Sequence, residues 1–251
     1  MKKFLIAGVA AATFCGASAF AADMPMKAAP AAVFNWSGFY IGGNIGEEWS
    51  RDRVTDVDGY AAAGGPGTLT KLRNTGVFGG MQSGFNIQSG SWVYGYEGDS
   101  GWMNLSKKGL LTGTTSGTMV GMKSGFYGDM TGRFGALINP TTLVYVKGGW
   151  AYYEGRDFFS TVTGSFSSKT HTGLFSGWTL GGGVEWRLGS NWSAKLEYLH
   201  FDFGSEHFTV FNAIGTPFRF RESVTADTVK IGLNYKWGDL SWGKSPVVAK
   251  Y

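Results

Sequence analysis

The chain has 251 residues, among them 41 glycines, 16% aromatic residues and only six prolines, a composition typical of an all-β protein. Its formal net charge is +4 and falls to about +2 without the two amino-terminal lysines, so the charge predicts no nucleic-acid partner. The single cysteine, Cys15, lies near the amino end, so the rest of the chain has neither a disulfide nor a thiol nucleophile.

The first segment is predicted to be a secretory signal peptide at residues 1–21. Lys2 and Lys3 precede an apolar run that ends at about Cys15, and the small-residue sequence Ala19-Phe20-Ala21 follows. The run is shorter than the roughly 20 residues that a membrane-spanning helix needs. Residues 22–34, rich in alanine and proline, are predicted to be a periplasmic lead-in.

The segment Ser176–Leu188 has a repeat of two residues. Trp178 and Trp186 lie on one side of an extended chain, and Glu185 and Arg187 lie on the other. This alternation predicts a strand whose two faces meet different surroundings. Comparable segments recur, and we predict eight strands at about 36–47, 76–87, 91–104, 124–137, 142–153, 176–188, 192–203 and 225–237.

The gaps between the predicted strands alternate between short and long. Tight turns are predicted at 88–90, 138–141 and 189–191, and long connections at about 48–75, 105–123, 154–173 and 204–223. This layout predicts an eight-stranded antiparallel transmembrane β-barrel of the bacterial outer membrane, with short periplasmic turns and four long extracellular loops. The barrel is assigned to 35–237 and a C-terminal tail to 238–251.

Tryptophan positions predict two aromatic belts at the membrane surfaces. Trp92 and Trp102 are ten residues apart on one face, which corresponds to roughly 25 Å along the barrel axis. Residues predicted near the periplasmic rim are Trp36, Trp186, Trp192 and Trp237, and those near the outer rim are Trp102, Trp150 and Trp178.

Charged residues are predicted on the inward face of the strands: Glu97, Asp99, Arg133, Lys147, Glu185, Arg187, Lys195, Glu197 and Lys230. An eight-stranded barrel is only wide enough to be filled by its own side chains, so these charges are expected to form a paired network that closes the lumen. Glu97 and Asp99 have a spacing that acid–base catalysis can use, but pairing with Arg133 is the preferred interpretation, and no enzymatic activity is predicted. Three histidines without cysteine do not predict a metal site.

The loops carry the remaining functional hypotheses. His171 and His207, with aromatic neighbours, are candidate hemin contacts, although no motif links them and ordinary polar loop residues are the favoured interpretation. Basic loop residues such as Lys107 and Lys108 are candidate contacts for lipopolysaccharide phosphates. The alternation Phe218-Arg219-Phe220-Arg221 predicts that the last strand extends above the membrane.

Several motifs resemble a known family. Asn35-Trp36-Ser37-Gly38-Phe39-Tyr40-Ile41-Gly42-Gly43-Asn44, Trp92-Val-Tyr-Gly-Tyr-Glu-Gly-Asp99 and Val229-Lys-Ile-Gly-Leu-Asn-Tyr235 are similar to small alphaproteobacterial outer-membrane proteins of the surface-antigen and hemin-binding porin-like family. The resemblance implies an OmpA-like barrel, exposed antigenic loops and a role in envelope integrity. Hemin binding belongs to some members only and is not carried over here. The barrel-assembly machinery is an implied partner, and either Trp237 or Tyr251 is its aromatic signal.

We therefore predict a structural outer-membrane barrel and surface antigen. Its expected surroundings are outer-membrane lipid and lipopolysaccharide, with host or envelope ligands at the loops. The alternative is a narrow porin, or a protein for uptake of hemin or a small solute.

Overall fold

A computed structural model of the chain describes residues 35–59, 65–104, 106–110, 118–161, 170–211 and 215–237. The predicted signal peptide, lead-in and C-terminal tail lie outside these residues. The described ranges contain nine antiparallel strands: β1 (Gly38–Asp56), β2 (Thr68–Ser89), β3 (Trp92–Asn104), β4 (Ser106–Leu110), β5 (Thr118–Asn139), β6 (Thr142–Thr161), β7 (Thr170–Arg187), β8 (Trp192–Phe211) and β9 (Pro217–Trp237). No helix in these ranges is long and apolar enough to cross a membrane.

The strands form a closed ring. Each strand pairs with its neighbour in sequence, β1 also pairs with β9, and β3 and β4 both pair with β5. Because β3 and β4 are successive parts of one position in the wall, the ring has eight positions, and the predicted eight-stranded barrel is confirmed. Closure leaves no unpaired strand edge within the membrane.

The strand faces have the predicted orientation. Ile45, Met81 and Trp102 point outward and are 55%, 60% and 65% exposed, whereas Tyr40, Gln82 and Asp99 point inward and are at most 3% exposed. The outward face is therefore apolar and suited to lipid. Trp36 differs from the prediction, because it is 2% exposed and packs inside the periplasmic end instead of in the aromatic belt.

The strands are longer than the sequence predicts. β1 ends at Asp56 instead of near Glu47, and β9 begins at Pro217, as the alternation of 218–221 predicts. Within the described residues, the predicted long loops are therefore largely strand. The extension of β1 was missed because polar residues occupy both of its faces, such as Arg51 on the outward face and Asp52 on the inward face.

Above the outer aromatic belt the ring divides into two sheets. The pairing of β7 with β8 stops at Trp178 and Asp202, although both strands continue, and the pairing of β2 with β3 stops at Val77 and Asn104. The remaining ladders join β8–β9–β1–β2 into a first outer sheet (about 203–211, 217–227, 49–56 and 68–76) and β4–β5–β6–β7 into a second outer sheet.

A β-bulge lies at the foot of each outer sheet. In β8 the register shifts between Asp202 and Ser205, and in β5 it shifts between Ser124 and Tyr127. Gly204 has a φ of +71°, and its N–H donates to Asp202 Oδ1 at 2.8 Å, which fixes the bulge in β8. Bulges bend and twist a strand, and these two lie near the level at which the ring divides.

Candidate functional site in the barrel lumen

A layer of buried ion pairs fills the middle of the lumen. Lys147 on β6 places its Nζ 2.7 Å from Glu97 Oε1, 3.1 Å from Asp99 Oδ2 and 3.1 Å from Glu197 Oε1. All four side chains are 0% exposed. These residues reach one another because each lies at an inward position of β3, β6 or β8. This set and its further partners below are called the charged layer.

Two more lysines complete the pairing of these carboxylates. Lys195 Nζ lies 2.7 Å from Glu97 Oε1, and Lys230 Nζ lies 2.8 Å from Asp99 Oδ2 and 2.9 Å from Glu197 Oε1. Each carboxylate therefore contacts more than one ammonium group. In a dry lumen such pairing is needed to offset the cost of removing the charges from water.

Arg133 forms the periplasmic side of the charged layer. Its Nη1 lies 2.9 Å from Glu185 Oε2, and its Nε donates to Asn86 Oδ1 at 2.8 Å. The guanidinium carbon is 5.0 Å from the ring centre of Tyr40 and 5.1 Å from that of Tyr145. The two tyrosines donate hydrogen bonds of 2.7 Å to Glu97 and Glu197 respectively. Cation–π contacts and hydrogen bonds thus hold the guanidinium in one position.

Three carboxylates of this layer have the geometry of a cation site. One oxygen each of Glu97, Asp99 and Glu197 lies within 4.8 Å of the others, the one such group of three in the described part of the chain. The ammonium groups of Lys147, Lys195 and Lys230 occupy the positions around these oxygens. The arrangement is therefore suited to permanent charge pairing, and Glu97 and Asp99 have no free oxygen pair with which to act as an acid and a base.

Eight of the nine residues predicted for the network lie together in the charged layer. Arg187 does not join them, because it lies at the end of β7, where its Nε donates to the Gly189 carbonyl at 2.7 Å. The prediction omitted Asp129, which is 3% exposed and lies 3.9 Å from Lys147 through Oδ1. The two-residue alternation of this strand already places Asp129 on the inward face with Arg133, so the alternation alone is enough to include Asp129 in the network.

The amide side chains were also missed as members of the layer. Asn44 donates to Asp99 at 2.9 Å and Gln82 donates to Asn234 at 2.5 Å, while Asn234 donates to Glu185 at 2.9 Å. They join the ion pairs on opposite walls of the barrel. Their role depends on register, which the sequence does not specify.

Apolar clusters lie on both sides of the charged layer. Trp36, Val93, Leu143 and Tyr145 close the periplasmic end, and Leu143 is 0% exposed. On the outer side lies a cluster of Phe78, Met103, Tyr127, Tyr153, Phe175 and Val224. A cavity of about 30 Å³ lies there, lined also by Glu48 and Ser50, with room for about one or two water molecules.

The histidines of the hemin hypothesis lie on the two strands that flank the gap between the outer sheets. His171 pairs in register with Asp157 on β6, and His207 is exposed and pairs in register with Arg221 on β9. The side chain of His171 lies outside the described side chains. His200, which faces outward, has its Nδ1 2.8 Å from Asp227 Oδ1.

An exposed ion pair links the first outer sheet to the connection after β1. Arg219 Nη2 donates to Asp58 Oδ1 at 2.8 Å, and the Arg219 backbone N–H donates to Asp58 Oδ2 at 2.8 Å. These hydrogen bonds hold the pKa of the Asp58 carboxyl below its usual value.

A closed antiparallel ring with an apolar outer face, two aromatic belts and a lumen filled by paired charges defines a bacterial outer-membrane β-barrel protein. The family model for the outer membrane protein beta-barrel domain matches residues 7–236. The chain belongs to this family and is located in the outer membrane.

Relatives and solved structures agree with this assignment. The 31 kDa outer-membrane immunogenic protein of Brucella melitensis is 32% identical over 94% of this chain and all of the relative. The 22 kDa outer membrane protein of Rhizobium leguminosarum is 28% identical over 94% of this chain and all of the relative. The outer membrane protein OprG of Pseudomonas aeruginosa has a similar fold, with a TM-score of 0.51 and 14% identity over 81% of this chain and 98% of OprG.

Proposed function

We propose that this protein is a structural barrel that anchors in the outer membrane, displays its two outer sheets as a surface antigen and contributes to envelope integrity without enzymatic turnover. The observation that carries this proposal is the charged layer, in which Lys147 binds three carboxylates and is 0% exposed. A lumen filled in this way favours anchorage over passage of solutes.

The periplasmic apolar cluster supports the same conclusion. Any solute would have to pass both the ion pairs and the side chains of Trp36, Val93 and Leu143, which are at most 2% exposed. Opening such a path means breaking several buried charge pairs, each costing kilocalories per mole. The alternative of a narrow porin therefore needs a second conformation of the lumen.

Planar-bilayer conductance tests the closed lumen. We expect no steady channel from the wild-type protein or from Glu47→Gln, whose side chain is exposed on the outer face of β1. Stable wild-type channels whose conductance changes in Glu97→Gln or Arg133→Gln, but not in Glu47→Gln, would overturn the structural role in favour of a porin.

The antigen role is supported by the names of the relatives, which are outer-membrane immunogenic proteins of Brucella. Long strands raise the outer sheets of this chain above the membrane, where antibodies can reach them. Antibodies raised against the folded protein are expected to label intact cells, and absence of labelling would contradict the proposal. For envelope integrity, a deletion strain should become sensitive to detergent and regain resistance with the wild-type chain.

Two interactions complete the proposal. Lipopolysaccharide is the expected neighbour in the outer leaflet, and the barrel-assembly machinery is expected to read Trp237 or Tyr251. Truncation after Trp237 separates these two residues: normal assembly of the truncated chain assigns the signal to Trp237.

Hemin uptake stays the alternative with its own test. If His171 and His207 bind hemin, titration of the folded protein should shift the Soret band. That shift should be lost in the double alanine variant.

A further inference from the structure

Basic residues occupy neighbouring positions on the outward face of the first outer sheet. The register of β1 and β2 places Arg51 directly opposite Arg73 and Arg53 directly opposite Lys71. Across β1 and one row higher, β9 contributes Arg221 opposite Thr55. All five basic side chains are exposed. With strands ~4.8 Å apart and a rise of ~3.3 Å per residue, they lie within about 10 by 13 Å. We call these five residues the basic patch.

The basic side chains of the patch face one another across neighbouring strands. Like charges that face each other directly across two strands are destabilising. Arg51 Nη1 lies 3.1 Å from Asp227 Oδ2, and the other oxygen of that carboxylate accepts a hydrogen bond from Tyr198 and lies 2.8 Å from His200 Nδ1. Asp227 is thus shared among Arg51, Tyr198 and His200. It does not pair with Arg53 or Lys71, which lie one row higher.

The height of the patch identifies the surface that it meets. Phe39 and Trp49 lie ten residues apart on the outward face of β1 and are 47% and 39% exposed. At a tilt of ~40° they are separated by roughly 25 Å along the membrane normal, the height of the apolar band. Arg51 and Arg53 follow on the same face, roughly 5 and 10 Å above Trp49. Side chains at this height point sideways into the headgroup region instead of up into solvent.

We propose that the basic patch binds the phosphate groups of the anionic glycolipid of the outer leaflet. This inference rests on the proposed function in that it takes lipopolysaccharide as the neighbour of the barrel. Arginine is suited to the role because its planar guanidinium forms paired hydrogen bonds with phosphate oxygens. Arg51 lies beside Arg73, and Arg53 lies beside Lys71 one row higher. These two pairs of cations can contact phosphate groups that belong to the same lipid. The bound phosphate groups also reduce the repulsion between Arg53 and Lys71, which lie directly opposite each other.

The test uses the full-length folded protein and purified lipopolysaccharide in vesicles. The variant Arg53→Gln/Lys71→Gln/Arg73→Gln keeps Arg51, which is paired with Asp227. Its control is Lys123→Gln/Arg219→Gln, which neutralises two exposed bases outside the patch, against three in the patch variant. We expect the patch variant to bind lipopolysaccharide roughly 100-fold more weakly, since each basic residue near an anionic surface contributes about a fivefold factor. The control should bind within a factor of about three of wild type.

Stability gives a second readout that does not depend on a loss of folding. Without lipopolysaccharide, the patch variant should unfold at the same urea concentration as wild type or a higher one, because it lacks the opposed cations. Lipopolysaccharide should stabilise wild type and not the patch variant.

Four results would overturn the inference. They are unchanged binding in the patch variant, an equal loss in the control, equal binding of a phosphate-free form of the glycolipid, and equal binding of soluble polyphosphate, which would assign the patch to a polyanion outside the membrane. None of these results bears on whether the lumen is closed, so the inference about the basic patch can fail while the conductance test still supports the proposed function.

Discussion

Replacing Lys147 by methionine should test whether the lumen is dry and closed. The substitution keeps the length and apolar stem of the side chain and removes the ammonium group. In the wild-type protein, Lys147 Nζ contacts Glu97, Asp99 and Glu197 at 2.7, 3.1 and 3.1 Å, so the substitution takes a shared cation away from three carboxylates. Each such contact is a gross attraction of about 5–6 kcal/mol at an effective dielectric constant of ~20.

The net cost is smaller than the gross attraction because burying the ions also carries a penalty. Desolvation costs several kcal/mol per ion, and Lys195 and Lys230 still contact the same carboxylates in the variant. Removal of one partner of a buried pair typically costs about 3–5 kcal/mol, and we expect a loss of this size in the free energy of unfolding.

Urea unfolding of the barrel in lipid vesicles, followed by tryptophan fluorescence, measures this loss. Lys123→Met is the control, because Lys123 lies at an exposed position of β5 and should change the free energy of unfolding by less than about 0.5 kcal/mol. In the double variant Lys147→Met/Asp99→Asn the two losses should not add, and the coupling should be about 0.5–3 kcal/mol. A loss below about 1 kcal/mol for Lys147→Met would mean that water screens these charges, which would contradict a filled lumen.

Three further perturbations test the wall, the lipid face and the outer connection. Gly181→Ala places its Cβ 2.0 Å from a backbone oxygen of β8 and should cost about 1–3 kcal/mol in unfolding experiments, whereas Gly132→Ala, with no atom within 4 Å, should cost less. Ile231→Arg, at a 58% exposed position in the middle of the lipid face, should cost about 2–4 kcal/mol on the same measurement, and a neutral result would place β9 outside the membrane. Because Arg219 lowers the pKa of Asp58 in the folded state, the ion pair stabilises the fold above the usual aspartate pKa, and this stabilisation is lost as the pH falls through the lowered value. An NMR titration of Arg219→Gln should find that pKa raised towards the usual range, with the backbone hydrogen bond from residue 219 still lowering it in part.

The membrane-spanning part of the fold was predictable because each strand there separates lipid from a charged interior. Two-residue alternation at Glu97 and Asp99, or at Lys195 and Glu197, is enough to assign both faces. Alternation does not specify register, however, so the partners of Asn44 and the separate position of Arg187 needed the structure. Assignment of a strand by alternation also requires apolar residues on its outward face.

The extensions above the membrane were hidden by this dependence on apolar residues. In β1 the outward residues beyond Trp49 are Arg51 and Arg53, and the inward residues include Asp52 and Asp56, which are at most 1% exposed. Polar residues on both faces are typical of a loop in a sequence, although here they continue the strand. The basic patch was missed for the same reason, since four of its residues were assigned to one predicted loop and Arg221 to another, and loop residues have no predicted neighbours.

The division of the ring at the bulges connects the closed lumen with the exposed surface. Within the membrane every backbone group needs a partner, so the wall closes fully. Above Trp178 and Asp202 water can satisfy the free edges of β7 and β8, and the ring no longer has to stay closed. The outer sheets are therefore not held by the closure that the charged layer requires. Because the bulge at Gly204 lies between the charged layer and the outer part of β8, substitutions in the outer sheets are expected to leave the charged layer intact.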